Sequence, residues 1–172
     1  PDHFVGINFV VQNMLWLRQA GYPVLYLENM PAEAQGLAND FLSGKPMAPE
    51  LALIHRSEFV TLLEKAREAG MRVVFIDTDL VRPLAHEDQT AYELTRGAPF
   101  HAFACDLIED DAVLRGDGKS VALLGGHHLW KNHATTQGTV WGMQHRLPAC
   151  KSLFLYDSTE AGSAAHFFIV SD

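Results

Sequence analysis

The sequence predicts an α/β domain: a mostly parallel central sheet with helices on both faces and an antiparallel edge hairpin near the C-terminus. Short runs rich in Val, Leu, Ile and Phe alternate with stretches of helical periodicity, the order of a layered α/β fold. Those runs are nearly continuous in apolar residues, as strands covered on both faces are. The last two are separated only by a short turn, which suits a hairpin.

Taken in order, Phe4, Ile7, Val11, Met14 and Leu15 recur at helical spacing and predict a helix from about residue 4 to Ala20. Gly21 stops it and Pro23 prevents its return. Val24 to Leu27 reads as a strand ending in Glu28. Pro31 and Glu33 open a helix with the stripe Ala34, Leu37, Ala38 and Phe41. Met47 to His55 suits a short helical turn, and Ser57 starts a helix whose face is Phe59, Leu62, Leu63 and Ala66. Arg72 to Ile76 is the next strand, with Asp77 and Asp79 at its end.

The polar stretch from Pro83 to Gly97 reads as a surface excursion, in part helical around Gln89 to Leu94. Phe100, Phe103, Ala104, Leu107 and Ile108 mark another helix, and Glu109-Asp-Asp111 reads as its solvated end. After the turn Gly116-Asp-Gly118, Val121 to Leu124 is a strand that breaks at Gly125-Gly-His-His128. Trp130 to Gly138 reads as a polar loop, and Val140, Met143 and Leu147 as a short helix stopped by Pro148. Ser152 to Tyr156 and His166 to Val170 are the final strands, joined by a small-residue turn from Asp157.

The 172 residues form one α/β domain, long enough for a sizeable core, with no internal repeat or linker that would divide it. A formal net charge of −8 argues against nucleic acid, whose phosphates need a basic patch, and against docking on anionic lipid. No apolar run approaches the ~20 residues of a spanning helix. Cys105 and Cys150 form no CxxC, so a reducing compartment is the default and a disulfide framework is not expected. The start at Pro1 has neither Met nor a signal-like segment, and its opening helix wants a preceding strand, so the chain reads as a fragment of a longer protein.

Ligands of open α/β sheets sit outside the carboxyl ends of the strands. Here those ends carry Glu28, Asp77 with Asp79, the pair His127 and His128, and Asp157. Such a set suits general acid–base chemistry or a cation held by imidazole and carboxylate. Gly125 and Gly126 permit close backbone approach, and both also fit a plain turn. Neighbours on a strand point opposite ways, so one of the two imidazoles faces the crevice, and His128 is the choice. Glu28 also reads as a solvated strand end, and Asp77, Asp79 and Asp157 as capping or turn residues. His101 and the other histidines match no zinc-ligand spacing and read as surface or satisfied core groups. Cys150, His166 and Asp172 carry no thiol-triad signature, and the absence of a Walker loop or GxGxxG argues against nucleotide cofactors.

The strand ends Tyr26-Leu-Glu28, Ile76-Asp77 and Gly125-Gly-His-His128, with the segment Gly138-Thr-Val-Trp-Gly-Met-Gln-His-Arg-Leu147, resemble a known superfamily. It joins Tiki/TraB proteins, erythromycin-esterase-like enzymes, ChaN-like haem-binding proteins and the middle C-terminal domain of Pasteurella-type dermonecrotic toxins. Tyr26-Leu-Glu-Asn-Met30 is most similar to the toxin-type members. Gly125 and His128 match the late Gly-x-x-His, Glu28 the acid ending the second family strand, and Asp77 an acid after the third. The family's first motif, Gly-Glu-x-His or Gly-x-x-His, has no counterpart: Gly6-Ile-Asn-Phe9 has the glycine without the histidine. The resemblance therefore places that strand and motif upstream of Pro1.

By resemblance, the chain would be a domain of a secreted bacterial toxin or effector acting in a host cytosol as a hydrolase. Glu28 would be general base or metal ligand, His128 ligand or proton relay, and a divalent metal ion the cofactor. Two alternatives stand beside it. One is a ChaN-like binding protein, with haem on His128 or His127 at the Gly125-Gly126 break. The other is a non-catalytic module of a larger toxin.

Overall fold

A computed structural model describes residues 5–54, 57–78, 93–116, 119–125, 128, 133–135, 138–148, 150–155 and 166–171. Its central sheet has five strands: β1 (Val24–Pro31), β2 (Arg72–Asp77), β3 (Ser120–Gly125), β6 (Cys150–Leu155) and β7 (His166–Ser171). They lie in the order β2-β1-β3-β7-β6. β1 runs parallel to both β2 and β3, whereas β7 runs antiparallel to β3 and β6. One strand therefore opposes the other four, and the predicted C-terminal hairpin forms that side of the sheet.

Helices cover both faces. In the parallel register Leu25 sits between Val73 and Val121, and Leu27 between Phe75 and Leu123. These side chains pack on one face with Ile7, Val10 and Met14 of α1 (Val5–Gln19), Phe41 of α2 (Gln35–Leu42), Leu51 of α3 (Pro49–Ile54) and Leu62 and Leu63 of α4 (Ser57–Ala69). The alternate residues Val24, Tyr26, Ile76, Ala122 and Leu124 pack on the other face. Their partners are Phe100, Ala104, Cys105 and Ile108 of α5 (Ala98–Arg115) and Met143 of α6 (Met143–Arg146). Period-two alternation in each strand thus feeds two separate cores. β2 is an edge strand, and Gln35 blunts that edge: its amide donates to Val73 O at 2.9 Å and accepts from Phe75 N at 2.7 Å.

Two sequence expectations are corrected here. Glu109-Asp-Asp111 is not the end of its helix, because α5 continues to Arg115 and is closed by Gly116 in the left-handed conformation (φ 69°). Asp111 is also not a solvated surface acid. It accepts from Arg72, from Arg115 Nε at 3.0 Å and from the Tyr26 hydroxyl at 2.5 Å. In the stretch read as polar loop and short helix, β4 (His133–Thr135) and β5 (Gly138–Val140) pair antiparallel in a small hairpin, and only Met143–Arg146 is helical.

The Tyr26 hydroxyl is a polar group inside a wholly buried side chain. Burial, and then the bond to Asp111, push its pKa from 10.0 up to about 12. Tyr26→Phe is expected to cost about 1 kcal/mol at neutral pH in urea unfolding. The folded state favours the protonated phenol, so that stabilisation is complete below pH 10.0 and lost as pH rises toward about 12. The wild type should therefore lose stability across that window faster than Tyr26→Phe. Parallel decline of the two would show that the hydroxyl contributes nothing.

Candidate functional site

Glu28 lies where the β1–β2 register breaks. The pairing shifts between Leu27 and Pro31, an irregularity of the kind that re-aims side chains beside functional sites. β3 ends opposite it at Gly125, whose backbone N–H donates to Glu28 Oε2 at 2.6 Å. A Cβ added at residue 125 would lie 3.4 Å from Oε2, in van der Waals contact with the carboxylate.

His128 follows the break after β3. Its Nε2 lies 3.2 Å from Glu28 Oε1, and both side chains are buried. Its Nδ1 lies 3.0 Å from Nε2 of His101 on α5, and His101 Nδ1 lies 2.9 Å from the carbonyl oxygen of Trp141. A carbonyl only accepts, so His101 Nδ1 carries the proton of that bond. Each of the three links then needs one proton.

Burial would push the Glu28 carboxyl up, but the charge and hydrogen bond of His128, the Gly125 N–H and the Arg96 charge together hold it below the usual glutamate range. Asp77, at the end of β2, pairs with Arg96 Nη2 at 2.7 Å and accepts from Thr78 N at 2.8 Å. Burial dominates at Asp77 and lifts its pKa despite Arg96 and the Thr78 N–H, and the negative charge of Glu28 adds to the rise. Two nearby carboxylates are thus driven in opposite directions, as acid–base sites often arrange. Phe100 binds the group together. The Arg96 guanidinium carbon sits 4.4 Å from its ring centroid, and the His128 ring meets it edge-on at 4.7 Å.

The structure therefore brings Glu28, Gly125 and His128 into direct contact and places Asp77 one ion pair away through Arg96. Gly126, His127, Asp79 and Asp157 lie outside the described residues. His101 and Arg96 carry functional geometry that the sequence reading missed. His101 showed no ligand spacing, and Arg96 lay in the stretch taken for a surface excursion. It is buried instead, in a π-helical turn, Glu93–Gly97, that leads into α5. His101→Phe should keep the volume but leave Trp141 O and His128 Nδ1 without their partner. A loss of about 1–3 kcal/mol in chemical denaturation is expected, and a neutral change would mean that the chain of bonds is not maintained.

The donors present do not build a metal shell. Glu28 and His128 are turned toward each other, and both nitrogens of each imidazole are engaged. Among the described residues no cluster of three or more His, Cys, Asp or Glu is arranged around a cation. Beside the relay lies a cleft of about 360 Å³, lined by Leu94, Ala98, Thr139 and His145 and reached by His101. At its rim the Trp141 and His145 rings stack at 4.3 Å. No helix among the described residues is long and apolar enough to cross a membrane.

No family model matches the chain. It is 32% identical over 152 residues to a multifunctional-autoprocessing repeats-in-toxin protein of Vibrio vulnificus, an overlap of 85% of this chain and 3% of that toxin. The crystal structure of RRSP, a MARTX toxin effector domain from Vibrio vulnificus CMCP6, superposes with a TM-score of 0.73 at 26% identity. That match covers 97% of this chain and 32% of the other. The C-terminal region of Pasteurella multocida toxin shares the fold alone, with a TM-score of 0.72 at 17% identity over 98% of this chain and 23% of that one. This chain spans about a third or less of each of these relatives, and it is similar in both sequence and fold to effector domains of bacterial toxins.

Proposed function

We propose that this chain is part of an effector domain of a larger bacterial toxin and that it hydrolyses an acyl bond, in the manner of Tiki and erythromycin-esterase-like enzymes, with Glu28 and His128 as its acid–base pair. One observation carries the reading: a buried glutamate and histidine 3.2 Å apart at the carboxyl ends of neighbouring parallel strands. The second histidine behind them extends to the cleft. Toxin similarity supports the biological setting, including action inside a host cell.

In this mechanism a water attacks the acyl carbon as its proton passes to the Glu28–His128 pair. The carbonyl π electrons move onto oxygen and a tetrahedral anion forms. Collapse of the anion breaks the bond to the leaving nitrogen or oxygen, which takes the proton from His128. A carboxylic acid and an amine or alcohol leave. A buried pair suits this task because low local dielectric strengthens each hydrogen bond. We route no step through a metal, since the donors are committed to one another. Metal analysis of the purified chain tests that point.

The decisive assay incubates the chain with a peptide library and with simple aryl esters in heavy-oxygen water. Hydrolysis leaves a new carboxylate carrying one heavy oxygen, read by mass spectrometry. No labelled carboxylate from a folded chain would leave the non-catalytic module as the better reading.

A further inference from the structure

We propose that Arg96 Nη1 is a binding donor for an anionic acyl oxygen, either the oxyanion formed during hydrolysis or the carboxylate of the product. This deepens the hydrolase reading and rests on it for the catalytic role, but not for the binding itself. Arg96 is 5% exposed, and its two terminal nitrogens differ sharply. Nη2 is held by Asp77, while Nη1 is buried with no hydrogen-bond partner. No other side-chain nitrogen or oxygen among the described residues is left in that state.

A buried N–H without an acceptor costs about 1–3 kcal/mol, and more when the group is charged. Such a group calls for an explanation, and a ligand oxygen is the simplest acceptor. Two further features support placing that oxygen near the site. Arg96 and His128 pack against the same Phe100 ring, so the vacant donor lies one phenyl ring from the acid–base pair. Leu94 and Ala98, to either side of Arg96 in sequence, line the cleft that His101 reaches.

The charges support the same assignment. Asp77 pairs with the guanidinium through Nη2 alone, leaving Nη1 unoccupied. Glu28 is already matched by His128 and Gly125 and does not fill it. An oxygen that gains charge in the transition state would find a fixed donor there, with no reorganisation needed at that moment. Because Nη1 is buried, the oxygen reaches it through a local opening, and its association should be slower than free diffusion.

The test is a titration of the whole chain, labelled in its arginine side chains, with sodium acetate by NMR. The Arg96 guanidinium signals should shift saturably in the wild type. Arg96→Lys keeps a cation for Asp77 but lacks the fork, and should remove the saturable response. The wild-type titration needs no variant and so does not depend on any variant folding. Static Arg96 signals, or an undiminished acetate response in Arg96→Lys, would overturn the site. Where turnover is found, Arg96→Lys should lower kcat about a hundredfold. A saturable shift without turnover of any substrate would uphold the anion site and sink the hydrolase reading. Turnover with static Arg96 signals would do the reverse.

Discussion

Glu28→Gln is expected to lower turnover by about a hundred- to ten-thousandfold while the chain stays folded. The amide cannot take a proton from water, yet it can still accept from Gly125 N–H, whose bond to Glu28 is 2.6 Å. Glu28→Leu should instead destabilise by about 3–5 kcal/mol, because it leaves the buried His128 and Gly125 N–H facing a hydrocarbon. A cycle with His128→Ala separates the terms. Residues in one hydrogen-bonded network couple by about 0.5–3 kcal/mol, whereas independent sites add. Additive losses of stability would mean that the 3.2 Å pair is a coincidence of packing.

The pH dependence follows from the direction of the Glu28 shift. Its folded-state pKa lies below that of an unfolded glutamate, about 4.3. As pH falls the unfolded chain takes the proton first, so the Glu28 contribution is complete above about pH 4.3 and lost as pH drops through the folded value. Asp77 runs the other way. Its raised pKa makes its contribution complete below about pH 3.9 and lost as pH rises through the folded value. Glu28→Gln should therefore flatten the acid limb of a stability–pH curve, and Asp77→Asn should leave that limb intact. An unchanged acid limb in Glu28→Gln would show that the carboxylate is not held by its neighbours.

The layers and strand ends were legible because the code for them is local. Val24 to Leu27 and Val121 to Leu124 announce buried strands by composition, and the rule that sites lie beyond strand ends then selects Glu28 and His128. What escaped is long-range pairing. His101 is 27 residues from His128, and nothing in its helical pattern marks it as more than a core group. Arg96 sits in a polar run whose burial depends on Asp77 and Phe100 as partners. Asp111 looked solvated within an acidic run, though Arg115 four residues on is the standard helical ion-pair spacing and was a readable sign. The small hairpin was missed because its strands are too short for an alternation pattern. Thr139-Val140 just after Gly138 (φ 127°) was the available hint.

Phe100→Ala should produce the second large effect, because one wholly buried ring serves both core and site. The ring packs in the α5-side core with Tyr26, Ile76 and Leu124. Removing it should cost about 3–5 kcal/mol in urea unfolding, the range for a buried phenylalanine truncated to alanine. The same cavity would free Arg96 and His128, which lie 4.4 Å and 4.7 Å from the ring centroid. Phe100→Leu separates the two roles. It retains most of the volume and should cost less than about 1.5 kcal/mol in packing, to which loss of the cation–π contact adds up to about 2 kcal/mol. If the ring positions the site, Phe100→Leu loses turnover and Arg96 acetate binding out of proportion to its stability. If the ring only fills space, both functions track stability across the two variants, and the aromatic identity of residue 100 has no part in the chemistry.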